Sequence, residues 1–276
     1  MDRNAMTDPT TAPGLVPPQS HGPRDERILE KMESLERIAA GVSHDMNNIL
    51  SGIVTYPEVL LMRRDLDEKI RKALTMVQES GERVSALIGD LTTITRDNRG
   101  NWEIFSLNAL VQEYLISPEY RKLKLDPAHI AVKTRLGGNV PDIPASRMHV
   151  RKALMHLVAN AAQSIGSNGE IIVSTAMRQL DRPLQGQWKI PPGLYALLSV
   201  TDSGGVPEVH VGHLFEPFYT RKVMGRKGSG LELPLVWHTL RDHSGGIVVT
   251  ADAASARFDL YFPVARDKAG ADPSLR

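Results

Sequence analysis

Two long stretches of this chain place apolar residues at alternating spacings of four and three, and that pattern leaves few folds open. The first falls at Ile28, Met32, Leu35, Ala39, Val42, Met46, Ile49 and Ile53; the second at Ile70, Leu74, Val77, Gly81, Val84, Ile88 and Leu91. A stripe of this period is the seam between packed helices. The connection, "RRDLDE", is short and polar, with Asp67 placed to cap the second helix, so the two are expected to fold back as an antiparallel hairpin. A lone hairpin cannot bury seams this long. Two copies pairing into a four-helix bundle would, which makes a homodimer the economical expectation.

Inside the first run, "GVSHDMNNIL" sets a histidine, an aspartate and two asparagines side by side. His44 lies two residues from both Val42 and Met46, so it falls on the side away from the seam and is expected to face solvent. The same outward stripe carries Arg37, Gly41, Asn48, Ser51, Gly52 and Thr55, mostly small or polar. Asp45 and Asn48 can both reach the neighbourhood of the ring. A carboxylate that accepts from one ring nitrogen fixes the tautomer and leaves the other as an exposed nucleophile. An ordinary solvated polar face is the plain alternative. Gly41 and Gly52 argue against it, since each costs about 1 kcal/mol in a helix interior, which a merely solvated face has no reason to carry. Pro57 is expected to kink the helix near its end.

Composition narrows the rest. Lys and Arg number 33 against 32 Asp and Glu, a formal net charge of +1, so no global field points to nucleic acid. The absence of cysteine excludes disulfides and thiolate metal sites and suits a reducing compartment. No run of about 18 apolar residues argues for membrane insertion, so the expected location is cytoplasmic. The Pro-, Thr- and Gly-rich first residues carry no hydrophobic period. The expected organisation is a disordered leader over 1–26, a helical domain over 27–97, a second domain over 98–265 and a disordered tail over 266–276.

In the second domain strand-like runs are "EIFSL", "HIAVKTRL", "EIIVSTA", "LYALLSVTD", "GGIVVTA" and "RFDLYFPV"; helices fit Leu107 to Leu115, Arg147 to Ile165 and Leu231 to His243. The expected fold class is α+β: one mostly antiparallel sheet with helices on one face. In the middle helix Val150, Leu154, Leu157, Ala161 and Ile165 form a buried stripe, Ser146 is a cap, and Asn160 falls beside the stripe with His156 one turn earlier. "SVTDSGG" ends a strand in Asp202, Gly204 and Gly205, where the chain can approach a ligand closely. "GRKGSGLELPLV" places Gly228 and Gly230 just before a helix, where free N–H groups and the helix dipole favour a phosphate. Each alone is a weak signal.

Taken in order the segments resemble one family. "GVSHDMNNIL" is similar to the H box of two-component sensor histidine kinases, "HLVANAAQSI" to the N box, "VTDSGG" to the first glycine box, "HLFEPFYTRK" to the F box and "GRKGSGLEL" to the second glycine box. The resemblance runs from about Arg27 to Val264. It implies a dimeric hairpin of the HisKA type followed by a Bergerat sandwich that binds ATP with Mg²⁺. By matching position His44 would attack the γ-phosphate, Asp45 would act as base, and Asn48 would position water when a partner is dephosphorylated. Asn160 would hold Mg²⁺, Asp202 would accept from the adenine amino group, and Gly204 would line the adenine pocket. Gly228 and Gly230 would cradle phosphates beneath a lid over roughly 206–227 that carries Lys222, with Phe215 and Phe218 as its anchors. The implied partners are the receiver domain of a response regulator and an upstream sensor protein.

The chain departs from the family pattern at His156, where a second asparagine is usual, and in "DSGGV", one residue short of the usual glycine box. Glu232 stands for the last glycine of the second box, and "DAASARF" lacks the usual glycine turn. Two functions stay open: an active autokinase, and a degenerate kinase acting as a dimeric phosphotransfer or phosphatase scaffold. Zinc binding by His210 and His213 is a weaker thought, since solvated loop histidines explain "HVGH" as well.

Overall fold

The structure is a computed structural model and describes residues 23–95, 102–124, 129–165, 168–206, 208–219 and 229–264. Its first helix, α1 (Pro23–Leu61), begins four residues inside the expected leader and runs on past Pro57, which is buried within it. Helix α2 (Glu68–Thr95) returns antiparallel to it. Asp67 caps α2 as expected, its Oδ1 accepting the Lys69 N–H at 2.8 Å. Arg71 reaches back across the turn and donates to the carbonyls of Leu61 at 3.2 Å and Arg63 at 2.9 Å, occupying acceptors that the end of α1 leaves free. The helices touch closely at Gly81, where a Cβ would sit 2.8 Å from a methyl of Val54.

The seam has two fates. Met46, Ile49, Ile53, Ile70 and Val77 are between 37% and 66% exposed in the single chain, an apolar face that the hairpin cannot cover by itself. Ile28 and Met32 share the spacing of that seam, yet both are 1% exposed and join the contiguous core of the second domain. The physical reason is length: α1 extends below the end of α2, so its first turns find the second domain where α2 no longer reaches.

The second domain contains β1 (Glu103–Phe105), α3 (Leu107–Leu115), α4 (Pro118–Lys124), β2 (His129–Leu136), β3 (Ile143–Ala145), α5 (Arg147–Ile165) and β4 (Asn168–Leu180). It continues through β5 (Leu184–Gln185), β6 (Lys189–Ile190), β7 (Gly193–Asp202), α6 (Glu208–Val211), α7 (Glu232–Asp242), β8 (Gly246–Ala251) and β9 (Ala256–Pro263). Five strands form one sheet in the order β2-β4-β7-β9-β8, parallel only between β2 and β4. Helices α3, α5 and α7 pack on it, burying Val150, Leu154, Val158, Val236 and Leu240 against Ile171, Val173, Leu198 and Leu260. This is the expected α+β sandwich. The β5–β6 hairpin packs Leu184 and Ile190 with Tyr195 and Leu197 on the other face, while Trp188 lies against Trp237 of α7 and its Nε1 donates to the Gly245 carbonyl at 3.1 Å.

Local chemistry explains the turn that lacks its glycine. Between β8 and β9, Asp252 Oδ1 accepts the N–H groups of Ala254 and Ser255, both at 2.8 Å, an Asx turn that closes the hairpin without a left-handed residue.

Candidate functional site

Helix α5 starts where the Ser146 carbonyl accepts the N–H groups of His149 and Val150, each at 3.0 Å, and it spans the sandwich with its apolar stripe inward. That leaves Asn160 half-buried at its flank, with no hydrogen-bond partner among the described residues. β7, buried along most of its length, delivers Asp202 to the end of the same helix, 3% exposed. Oδ1 of Asp202 is taken up by the protein, accepting from Gly204 N at 2.8 Å, Gly205 N at 3.1 Å and Ser164 Oγ at 3.2 Å. Burial pushes the carboxyl above its ordinary range, against the lowering pull of those three donors. Oδ2 is left for an outside donor.

The glycines do something other than leave room for a ligand. A Cβ on Gly204 would lie 2.4 Å from the carbonyl carbon of Ser164, and one on Gly205, at φ +69°, would strike the backbone of Asp252 and Ala253. They let the turn after β7 settle onto the end of α5 and the β8–β9 turn. The shortened box is thus closed by Asp202 itself.

Of the two phenylalanines that the resemblance makes lid anchors, Phe215 is 1% exposed in the core, whereas Phe218 is 58% exposed and its ring is not buried there. Phe218 is held by its backbone instead: its N–H donates to Gly230 O at 2.9 Å, and Gly230, at φ +73°, packs against the Phe218 main chain so closely that no Cβ fits. Phe218 and Gly230 are therefore pinned to each other. Lys222 and Gly228 lie outside the described residues. Glu232 does not point to solvent; its Oε1 accepts the Ser229 N–H at 2.8 Å. His210 pairs with the Tyr219 hydroxyl at 2.5 Å and His213 with Glu216 Oε1 at 2.7 Å, and among the described residues no three such groups converge on a metal position.

On the hairpin His44 and Asp45 belong to α1, but their side chains lie outside the described residues. Around them Arg37, Asn48, Ser51 and Thr55 are exposed and Gly52 is half-buried, so the outward stripe is open where it is described. The pattern gave no hint of one contact: His156 Nε2 lies 3.4 Å from Asp90 Oδ1 on α2, and Lys152 donates to Thr93 Oγ1 at 2.5 Å.

A helical hairpin joined to an α+β sandwich, with a buried carboxylate and glycine turns at the end of the middle helix, defines a two-domain architecture. Comparison with known families agrees: residues 34–100 match the His Kinase A (phospho-acceptor) domain, and 145–266 match the histidine kinase-, DNA gyrase B- and HSP90-like ATPase domain. The chain belongs to the two-component sensor histidine kinases. It is 27% identical over 238 residues to the signal transduction histidine-protein kinase AtoS of Escherichia coli K12, covering 85% of this chain and 36% of that protein. It is 25% identical over 237 residues to the sensor histidine kinase ZraS of Escherichia coli O157:H7, covering 85% of this chain and 47% of that one. The chain thus spans less than half the length of these relatives. Among solved structures, full-length ShkA in complex with AMPPNP matches with a TM-score of 0.64 at 21% identity, over 84% of this chain and 46% of that one. Histidine kinase ThkA in complex with the response regulator TrrA matches at 0.52 and 19% identity, over 88% and 65%. At these identities the structures speak for the fold. Among the described residues no helix is long and apolar enough to cross a membrane.

Proposed function

We propose that the protein is a dimeric autokinase that phosphorylates His44 from Mg-ATP and passes the phosphoryl group to an aspartate of a separate response regulator, from which it also removes phosphate. The observation that carries the reading is Asp202, a buried carboxylate with one oxygen saturated by its own turn and the other open to the adenine amino group. Asn160, unpartnered among the described residues at the flank of α5, presents the hard amide oxygen that suits Mg²⁺ beside phosphates. The metal, when bound, neutralises charge on the phosphates. The protein's own groups then have mainly to position. Phe215 seats the lid; Gly228, Gly230 and Lys222 meet the phosphates; and Asp45 takes the imidazole proton while the His44 nitrogen bonds to phosphorus and ADP departs with the bridging oxygen. Asn48, exposed one turn further along α1, holds the water that hydrolyses the regulator's acyl phosphate. The apolar face left open on the hairpin supports dimerisation.

Glu232 favours a second reading. Its carboxylate occupies the Ser229 N–H, one of the amides at the start of α7 that a phosphate would need, so ATP must compete with an internal anion. On that reading the chain is a phosphotransfer or phosphatase scaffold with little turnover. The test is incubation with radiolabelled Mg-ATP beside His44→Ala and Asn160→Ala. Acid-labile, base-stable label that needs both residues supports the autokinase; no label and no thermal shift with saturating Mg-ATP would leave the scaffold.

A further inference from the structure

Residues Lys152, His156, Asn160 and Ser164 stand four apart and so form one row along α5, spanning about 18 Å at 1.5 Å per residue. The far end of the row belongs to the nucleotide reading, for Ser164 donates to Asp202 and Asn160 follows one turn back. The near end meets the hairpin. His156 Nε2, buried and without a hydrogen-bond partner among the described residues, faces Asp90 Oδ1 at 3.4 Å, with side chains only 7% and 14% exposed. Lys152 Nζ donates to Thr93 Oγ1 at 2.5 Å and to the Gly89 carbonyl at 3.1 Å, and lies 3.8 Å from Asp90 Oδ1. One turn of α5 thus meets one turn of α2 through an acid, an imidazole and an ammonium. The groups are largely desolvated, so removing one partner leaves the others uncompensated.

Helix geometry fixes the height of this grip. Gly81 of α2 touches Val54 and Ile53 of α1, so these residues are level. The helices run antiparallel with equal rise. Nine residues on from Gly81 along α2 stands Asp90; nine residues back from Val54 along α1 stands Asp45, next to His44. The grip is level with the phosphoacceptor, on the neighbouring helix.

We propose that Lys152, His156 and Asp90 form a dock that sets the ATP-binding domain against α2 at the height of His44, which makes His156 and Asp90 positioning residues for phosphoryl transfer. The proposal rests on the nucleotide site described above: with adenine at the Ser164 end of the row and metal at Asn160, the phosphates face the docked end. His156 then serves the approach of two domains where its asparagine counterpart would serve the ligand.

The test compares the full chain with Asp90→Asn, His156→Asn and the double variant, measuring the initial rate of His44 labelling across Mg-ATP concentrations and the thermal shift with Mg-ATP. Each single variant is expected to lower the saturated rate about tenfold, the effect of a small misplacement of reacting groups. The ATP concentration for half-maximal rate and the thermal shift are expected to hold, and the double variant to be no slower than the singles. Lys152→Gln, at a side chain 29% exposed, carries the same test should Asp90→Asn fail to fold. Unchanged rates, rates that rise, additive losses, or a loss confined to ATP affinity would each overturn the dock. Unmodified chain that takes no label despite a normal thermal shift would instead overturn the autokinase reading on which the dock depends.

Discussion

In the hairpin, Ile49, Tyr56, Met62 and Met76 are between 66% and 74% exposed; in α5, Val150, Leu154 and Val158 are fully buried. The apolar content is similar and the outcome opposite. A sheet with three helices on it encloses a core within one chain, whereas two antiparallel helices have only one inward line between them and leave a second apolar line outside. The sandwich is therefore complete as a monomer, and the hairpin is half of a structure. The residues that match the phospho-acceptor domain thus lie on the half that leaves an apolar line outside, and those that match the ATPase domain on the half that does not.

Charges in the open seam should break this contrast most sharply. Ile49→Asp with Ile53→Asp is expected to dissociate the dimer, since each unpaired buried carboxylate costs at least about 3 kcal/mol, while the nucleotide-induced thermal shift of the sandwich stays. Sedimentation and calorimetry read the two halves separately; a dimer that survives would move its interface elsewhere. In the sandwich, Leu154→Ala is expected to cost about 3 kcal/mol in denaturant unfolding, whereas Ile49→Ala in a dilute monomer should change almost nothing.

Acid should separate the halves as well. Burial, helped by His243 beside it, pushes His149 down to about 4. The unfolded chain takes up that proton near pH 6.5, so stability is full above this pH and drains as pH falls toward 4. His243 is shifted the same way by its burial. Unfolding of the sandwich followed across that window is expected to show this loss, and His149→Gln to flatten it. The smallest effect belongs to the β8–β9 turn, where Asp252→Ala removes two exposed Asx hydrogen bonds and should lower the denaturant midpoint of the sandwich only slightly, without touching nucleotide binding.

The longer elements were legible because period and burial agree over many residues: Arg147–Ile165, Leu107–Leu115 and His129–Leu136 lie where the pattern put them. β1 lies within a strand-like run of the sequence, but its partner β3 and the β5–β6 pair carry no such pattern. Two or three residues carry no period, and such strands exist only because a distant segment pairs with them, as Glu103 does with Ala145. α4 announces itself only by Pro118 at its first position, a start signal with too little helix after it to be read. The glycines of the site were found for a partly different reason from the one the structure gives, since Gly204 and Gly230 relieve contacts with Ser164 and Phe218.

By itself the sequence determined the seam, the α+β order of the second domain, the cap at Asp67 and the motifs that bring Asp202 and Asn160 to one helix end. These rest on local chemistry and on periods that hold wherever the chain goes. Only the tertiary structure decided that Ile28 and Met32 leave the seam for the second domain's core, that Glu232 turns back onto Ser229, and that His156 faces Asp90. The physical reason is the same in each case: a period says that a side chain will be buried, and a charge says that it will seek a partner, but neither names the surface that arrives.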